Sequence, residues 1–185
     1  MGNTTFTVTD EELMLMSSKN PELRFEQNAD GTIVAMAPTG GISSNREAKA
    51  GAYLLIWVED HDLGDVFSSS GGFRLANGAL RSPDAAFVAK GRLADNWDEE
   101  EDKFIPLAPD FVIEIRSKSD SLEVLQEKMQ EYIENGVRLG WLVDRQHRCA
   151  YAYRVDRSIT QYPADAMLSG EDVVPGFTIA LKKLL

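Results

Sequence analysis

Short stretches of period-two alternation and longer stretches of helical spacing follow one another along the chain, and this mixture already predicts a mixed α/β protein. Thr9-Asp-Glu-Glu12 forms a capping box that opens a short helix through Leu13 and Met16. Leu23 to Gln27 alternates, Asn28-Ala-Asp-Gly31 turns, and Thr32 to Met36 returns, which predicts a β-hairpin. Pro38-Thr-Gly-Gly41 breaks the pattern. A second capping box, Ser44 with Glu47, predicts a helix to about Glu59 that buries Ala48, Leu55 and Trp57. Short strands follow at Val66 to Ser69 and Phe73 to Leu75. Asn77-Gly78 then signals a two-residue hairpin leading into the strand that carries Asp84.

Further on, Phe111, Ile113 and Ile115 alternate with Val112, Glu114 and Arg116, so the run from Pro109 is a strand with two distinct faces. Leu122, Leu125, Met129, Tyr132 and Ile133 keep helical spacing from about Ser121 to Asn135, with Ser119-Asp120 as the cap and Gly136 as the stop. Leu139 to Val143 reads as a buried strand, and Cys149 to Arg154 with Ile159 to Tyr162 as an antiparallel pair. The order of elements predicts an α+β single domain built on a central sheet, with the hairpin near its start.

A chain of 185 residues, 43% hydrophobic and 26% charged, suffices for a real core. No apolar run approaches the ~18 residues of a membrane span, so no membrane partner is expected. The first residues lack a secretory pattern, and Phe6 stands where myristoylation wants Ser or Thr. One cysteine, Cys149, excludes an internal disulfide, and these features together predict a cytoplasmic protein. His61 and His147 are too few and too far apart in sequence for an ordinary zinc site and read as surface residues. The net charge of −11 argues against a protein that coats nucleic acid, because such binding draws on Lys and Arg. The acidic run from Asp95 to Asp102 is expected to be an exposed, mobile loop.

The chemistry gathers on two predicted strands. Glu114 lies in a strongly apolar run, where a lone charge is costly to bury, and Asp84 lies on another candidate core strand. Two converging carboxylates can hold a hard divalent cation, and a cation so held suits phosphodiester hydrolysis. Lys128 sits at the flank of the next helix, from which an ammonium could reach the sheet. Each residue also has a plainer reading: Asp84 shaping the start of a strand, Glu114 paired with Arg116, Lys128 solvated. Asn45, Arg46 and Lys49 read as a solvated helix face rather than a DNA contact. Ser117 and Ser119 lack a neighbouring histidine for nucleophilic catalysis. The chain also has no Gly-x-x-x-x-Gly-Lys loop for a nucleotide hydrolase.

Arg24-Phe-Glu26, Met36-Ala-Pro38, Ser82-Pro-Asp84, Pro109 to Ser117, Lys128 to Tyr132, Gly136-Val137 and Trp141-Leu-Val-Asp144 occur in one order. Together they resemble the Uma family of restriction endonucleases, within the PD-(D/E)XK nuclease superfamily. The resemblance runs from about Arg24 to Arg154. It implies a restriction-endonuclease-like fold, with a mixed sheet flanked by helices, and Mg²⁺- or Mn²⁺-dependent cleavage of DNA by a homodimer. Asp84, Glu114 and the carbonyl of Ile115 would hold metal, and Glu26 matches an upstream acid. The superfamily places a lysine two residues after the second acid, where this chain has Arg116. Arginine cannot act as a general base, so Lys128 is expected to take over that role and Arg116 to hold a phosphate. A rival alignment uses Pro109-Asp110. Val173, Val174, Phe177 and Ile179 are apolar candidates for a dimer surface, with core packing as their other reading. The alternative function is a non-catalytic, homo-oligomeric binding or regulatory protein that retains the nuclease fold.

Overall fold

The strand Phe111–Ile115 (β7) is buried at every position, and the rest of the chain is layered on its two faces. The computed structural model describes residues 8–95, 97 and 103–185. Most of the acidic run Asp95 to Asp102 therefore lies outside the described residues.

Before β7 the chain forms α1 (Asp10–Lys19), β1 (Arg24–Gln27), β2 (Ile33–Met36) and α2 (Gly41–Asp60). Next come β3 (Gly64–Ser68), β4 (Phe73–Arg74), β5 (Leu80–Arg81) and β6 (Ala85–Ala89). After β7 come α3 (Leu122–Glu134), β8 (Leu139–Asp144), β9 (Cys149–Arg154), β10 (Ile159–Pro163), β11 (Met167–Ser169) and β12 (Thr178–Ala180). The central sheet has the order β10-β9-β8-β7-β6-β3, and within it only β7 and β8 run parallel, joined through α3. A four-stranded sheet, β2-β1-β5-β4, lies beside it, and β11 pairs with β12. This is the mixed α+β architecture expected from the sequence.

Alternation along β7 divides the core. Phe111, Ile113 and Ile115 pack with Ala50, Leu54 and Val58 of α2 and with the C-terminal Val174 and Phe177. Val112 faces the other way, onto Met129, Tyr132 and Ile133 of α3. Glu114 shares that second face, so its carboxylate meets α3 rather than α2. Leucine-sized side chains buried in this way contribute about 1.5–3 kcal/mol each, which holds the strand's register against the charge it carries.

Several local expectations are corrected. Helix α2 starts at Gly41 with Gly40 as an extended N-cap and no side-chain cap, so Ser44 and Glu47 lie inside the helix. Its buried residues are Ser43, Ala50, Leu54 and Val58, whereas Ala48 and Leu55 are exposed and Trp57 is half-buried. A one-residue error in phase turns a helix by ~100°, and the fit of small Ala50 against the sheet decides the phase. The β4–β5 hairpin closes through a longer turn, in which the Leu75 amide donates to the Ala79 carbonyl at 2.8 Å and Gly78 takes a φ of 88°. Asp84 does not continue β5. Ser82-Pro83 carries the chain into the other sheet, and a proline cannot extend the ladder. Ser121, not Ser119-Asp120, caps α3, accepting from the Val124 amide. Val173, Val174, Phe177 and Ile179 belong to the core, and Phe177 stacks on Trp141 with ring centres 5.8 Å apart. They form no dimer surface. No helix among the described residues is long and apolar enough to cross a membrane.

Because Phe177 fills the core beside Trp141, Phe177→Ala should lower unfolding free energy by about 3–5 kcal/mol in a denaturant titration. A midpoint equal to wild type would contradict its place in the core.

Candidate functional site

The antiparallel register of β6 and β7 makes the site. Ala85 pairs with Ile113 and Ala86 with Val112, so Asp84 lies across from Glu114 one step beyond the last pair. The Ile115 amide donates to Asp84 Oδ2 at 2.7 Å, which fixes that carboxylate at the end of the ladder. Asp84 and Glu114 face one open cavity of about 600 Å³, whose walls include Arg24, Gly40, Ser43, Glu47, Ile115, Lys118 and Lys128. The two acids are thus neighbours across the end of the β6–β7 ladder. The rival Asp110 sits at the opposite end of β7, accepting from the Ala89 amide and Arg92.

Lys128 reaches the site from α3. Its Nζ lies 2.8 Å from Glu114 Oε1 and 2.9 Å from Glu26 Oε1. The Tyr132 hydroxyl, one helical turn on, donates to the same Glu114 oxygen at 2.9 Å. Glu26 is anchored further by the Ser82 amide at 2.9 Å and by Arg81, which also binds Glu131 at 2.6 Å. The first acid of the hairpin, the lysine of α3 and the acid of β7 therefore form one buried network.

The charges do not balance locally. Burial pushes the Asp84 carboxyl well above its ordinary range, and the neighbouring Glu114 and Glu47 push it further. Burial also raises Glu114, with Glu26 adding to the rise, although Lys128 and the Tyr132 hydroxyl pull it back. Glu26 goes the other way: burial would raise it, but Lys128, the Ser82 amide and Arg81 outweigh burial and lower it. For Lys128, burial favours the neutral amine, yet Glu114 and Glu26 overcome this and raise its pKa. Lys128 is consequently a fixed ammonium near neutral pH, suited to orienting a polar group rather than to removing a proton.

Arg116 is placed elsewhere. Its Nη1 lies 3.1 Å from both carboxylate oxygens of Asp144, its Nε donates to the Asp120 carbonyl, and it is absent from the cavity's described walls. Glu114 therefore pairs with Lys128 and not with Arg116. His147 is exposed, with its Nδ1 2.7 Å from Asp144. Three residues of the arrangement have no role assigned from the sequence: Glu47, which reads as part of a capping box, Tyr132 and Arg81. Two of them carry a signal, Tyr132 by closing the motif that begins at Lys128 and Arg81 by immediately preceding Ser82-Pro-Asp84.

The side chains suit a hard divalent cation: Asp84 and Glu114 offer carboxylate oxygens at the cavity, and Ile115 lies at its wall. Burial first, and then the neighbouring Glu114 and Glu47, disfavour the charged form of Asp84, and a cation held there would favour it. The described residues contain no cluster of three or more His, Cys, Asp or Glu side chains within reach of one ion. Water would have to complete the shell.

A family model described as "putative restriction endonuclease", Uma2, matches residues 10–182. The chain belongs to the Uma2 family. A crystal structure of a "putative nuclease belonging to DUF820" from Anabaena variabilis is similar, with a TM-score of 0.70 and 19% identity over 86% of this chain and 88% of that one. At that identity the likeness shows a shared fold. No curated protein sequence matches. The Uma2 match spans all of β6, β7 and α3, so every residue of the buried network lies within it.

Folding raises the pKa of Asp84 and Glu114, so these groups favour the folded chain below about pH 4 and lose that contribution as pH rises through their raised values. Asp84→Asn keeps an acceptor for the Ile115 amide and removes the charge. In a metal-free melt at pH ~8 it should raise Tm by about 2–4 °C, the shift expected for ~1 kcal/mol in a domain of this size. It should also abolish stabilisation by added Mn²⁺. A lower Tm, or unchanged Mn²⁺ stabilisation, would contradict the charge imbalance described here.

Proposed function

We propose that the chain is a metal-dependent nuclease that hydrolyses phosphodiester bonds in DNA, with Mg²⁺ or Mn²⁺ as cofactor. The observation that carries this reading is the pair Asp84 and Glu114 at adjoining strand ends, facing an open cavity with the Lys128 ammonium on Glu114. Bound divalent metal would neutralise phosphate charge and acidify a water molecule. Asp84, Glu114 and the Ile115 carbonyl would hold the metal. Lys128 would orient the attacking water through its fixed charge, while Glu26 and Tyr132 keep the ammonium and Glu114 in place. The water oxygen would bond to phosphorus as one phosphorus–ester oxygen bond breaks, and the proton the water loses would pass through solvent to the departing oxygen. Glu47, on α2 at the cavity wall, is a further carboxylate within electrostatic reach of Asp84. Arg116 serves this reading only indirectly, by holding Asp144 and the segment at Asp120 that follows β7. A DNA substrate also suits a cytoplasmic location.

The second reading is a binding or regulatory protein that keeps the fold without cleavage. It is favoured by Arg116, which replaces the superfamily's lysine and is tied to Asp144, and by Lys128, which is clamped between two carboxylates.

Cleavage of plasmid and single-stranded DNA with Mg²⁺ or Mn²⁺ separates the two. Asp84→Ala and Glu114→Ala should abolish Mn²⁺ binding by calorimetry and abolish cleavage. Lys128→Met should retain Mn²⁺ binding and lower the rate by roughly 10²-fold or more, the scale of a positioned polar group at a reacting centre. Full activity in Lys128→Met would remove the lysine from the mechanism. Absence of cleavage by wild type with either metal would favour the second reading.

A further inference from the structure

Four strands end along one edge of the central sheet. Ser68 pairs with Ala85, Ala85 with Ile113, and Ile115 with Val143, so the ends of β3, β7 and β8 and the start of β6 lie in a row. Asp84 and Glu114 come from the two middle members, β6 and β7. A cation is anchored just past each outer one. Arg24 of β1 donates through Nη1 to the Ser69 carbonyl, which follows β3, at 3.3 Å. Lys118 lies in the turn after β7. Gln146, which follows β8, donates through Nε2 to the Ser117 and Lys118 carbonyls at 3.1 and 3.3 Å. Both cations line the cavity, and neither has an ion-pair partner among the described residues.

The turn that carries Lys118 is tied down on more than one side. Besides the hold of Gln146, the Ser117 amide donates to Asp120 Oδ2 at 2.8 Å, and Arg116 Nε donates to the Asp120 carbonyl at 3.1 Å. A lysine that meets only water gains nothing from a fixed backbone, whereas one that contacts a ligand loses less freedom on binding when its backbone is already placed. Arg24 is placed by alternation, on the same face of β1 as Glu26, whose carboxylate holds Lys128.

We propose that Arg24 and Lys118 hold the phosphates on either side of the one that is cut, so that a DNA strand runs along this sheet edge from β3 to β8. The inference deepens the nuclease reading and takes its substrate from it. Neighbouring strands are ~4.8 Å apart, so the two anchoring points stand about 14 Å apart with the acids between them. That span accommodates one phosphate at the metal and one at each cation. The phosphate contact expected of Arg116 thus falls to Lys118, two residues on, because Asp144 already holds the Arg116 guanidinium.

Fluorescence anisotropy of a labelled oligonucleotide, single-stranded and duplex, in Ca²⁺ over a range of salt concentrations tests this without requiring cleavage. Each phosphate contact releases counterions, so losing one should lower the slope of log affinity against log salt by about 0.7–0.9. Lys118→Gln and Arg24→Gln should each weaken binding by about tenfold and lower the slope by that amount, and the double variant by about twice as much. Lys118→Arg, which keeps the charge, should keep the wild-type slope. With Mg²⁺, both Gln variants should raise KM and leave kcat nearly unchanged. Far-UV circular dichroism checks folding, and should Arg24→Gln fail to fold, Lys118→Gln at its exposed position carries the test alone. A wild type that binds no DNA overturns the proposal, as does a wild-type slope in a folded Gln variant. Binding that depends on both cations, without cleavage by wild type, would remove the nuclease reading and leave this inference standing.

Discussion

The contact between the Lys128 ammonium and the Glu114 carboxylate is the interaction on which the site depends. Burying Glu114 alone would leave a charge stripped of water, and its neighbour Asp84 adds a second one of the same sign. At an effective dielectric of ~20, a pair of unit charges ~4 Å apart interact by about 4 kcal/mol, attractive for Lys128 with Glu114 and repulsive between acids. One ammonium cannot satisfy Glu114, Glu26 and Asp84 together. The network settles with Glu26 favouring its charged form, Lys128 firmly charged, and Asp84 and Glu114 held above their ordinary range. The resulting deficit of positive charge lies where the cavity opens.

That contact exists because of the parallel pairing of β7 with β8. A parallel neighbour requires a crossover, and the crossover here is α3, laid across the face of the sheet that carries Glu114. Met129, Tyr132 and Ile133 bury the helix against Val112 and Leu142, and this packing fixes its rotation. Lys128, next to Met129 in sequence, is thereby turned along the flank toward the carboxyl end of β7. Tyr132 lies one turn further along the same face and adds a hydroxyl to Glu114. The apolar contacts thus provide the stabilisation that lets the polar network remain buried. The cavity lies at the carboxyl end of β7, one of the two parallel strands of the central sheet.

The acidic balance of the chain takes on a local meaning in this frame. The charge of −11 is an average. The cavity's lining holds Arg24, Lys118 and Lys128 together with Glu47, Asp84, Glu114 and Asp120. Helix α2 contributes an N-terminus with no acid in its first turn on the same cavity wall. Its inner side thus borders the cavity, while Ile42 and Ile56 stand exposed on its outer side among polar residues. One helix thereby links two surfaces of different character, and the small residue Ala50 on the buried side permits it to lie close to the sheet.

Alternation and spacing by themselves determined the order of the elements, the two faces of β7, and the candidate pair Asp84 and Glu114. These depend on neighbouring residues and on the strict period of two in a strand, so a single chain displays them. Lys128 was legible as a helix-flank residue near the site because it follows the strand closely. What only the tertiary structure decided involved contacts between distant segments. Glu26 reaches Lys128 across 102 positions, and Arg116 turns to Asp144, 28 positions on. The phase of α2, which buries Leu54 and leaves Leu55 outside, was also beyond sequence, because both leucines are equally apolar and only the shape of the sheet beneath selects between them. Hydrophobicity fixes which residues seek the interior, whereas packing and charge pairing fix which residues meet there.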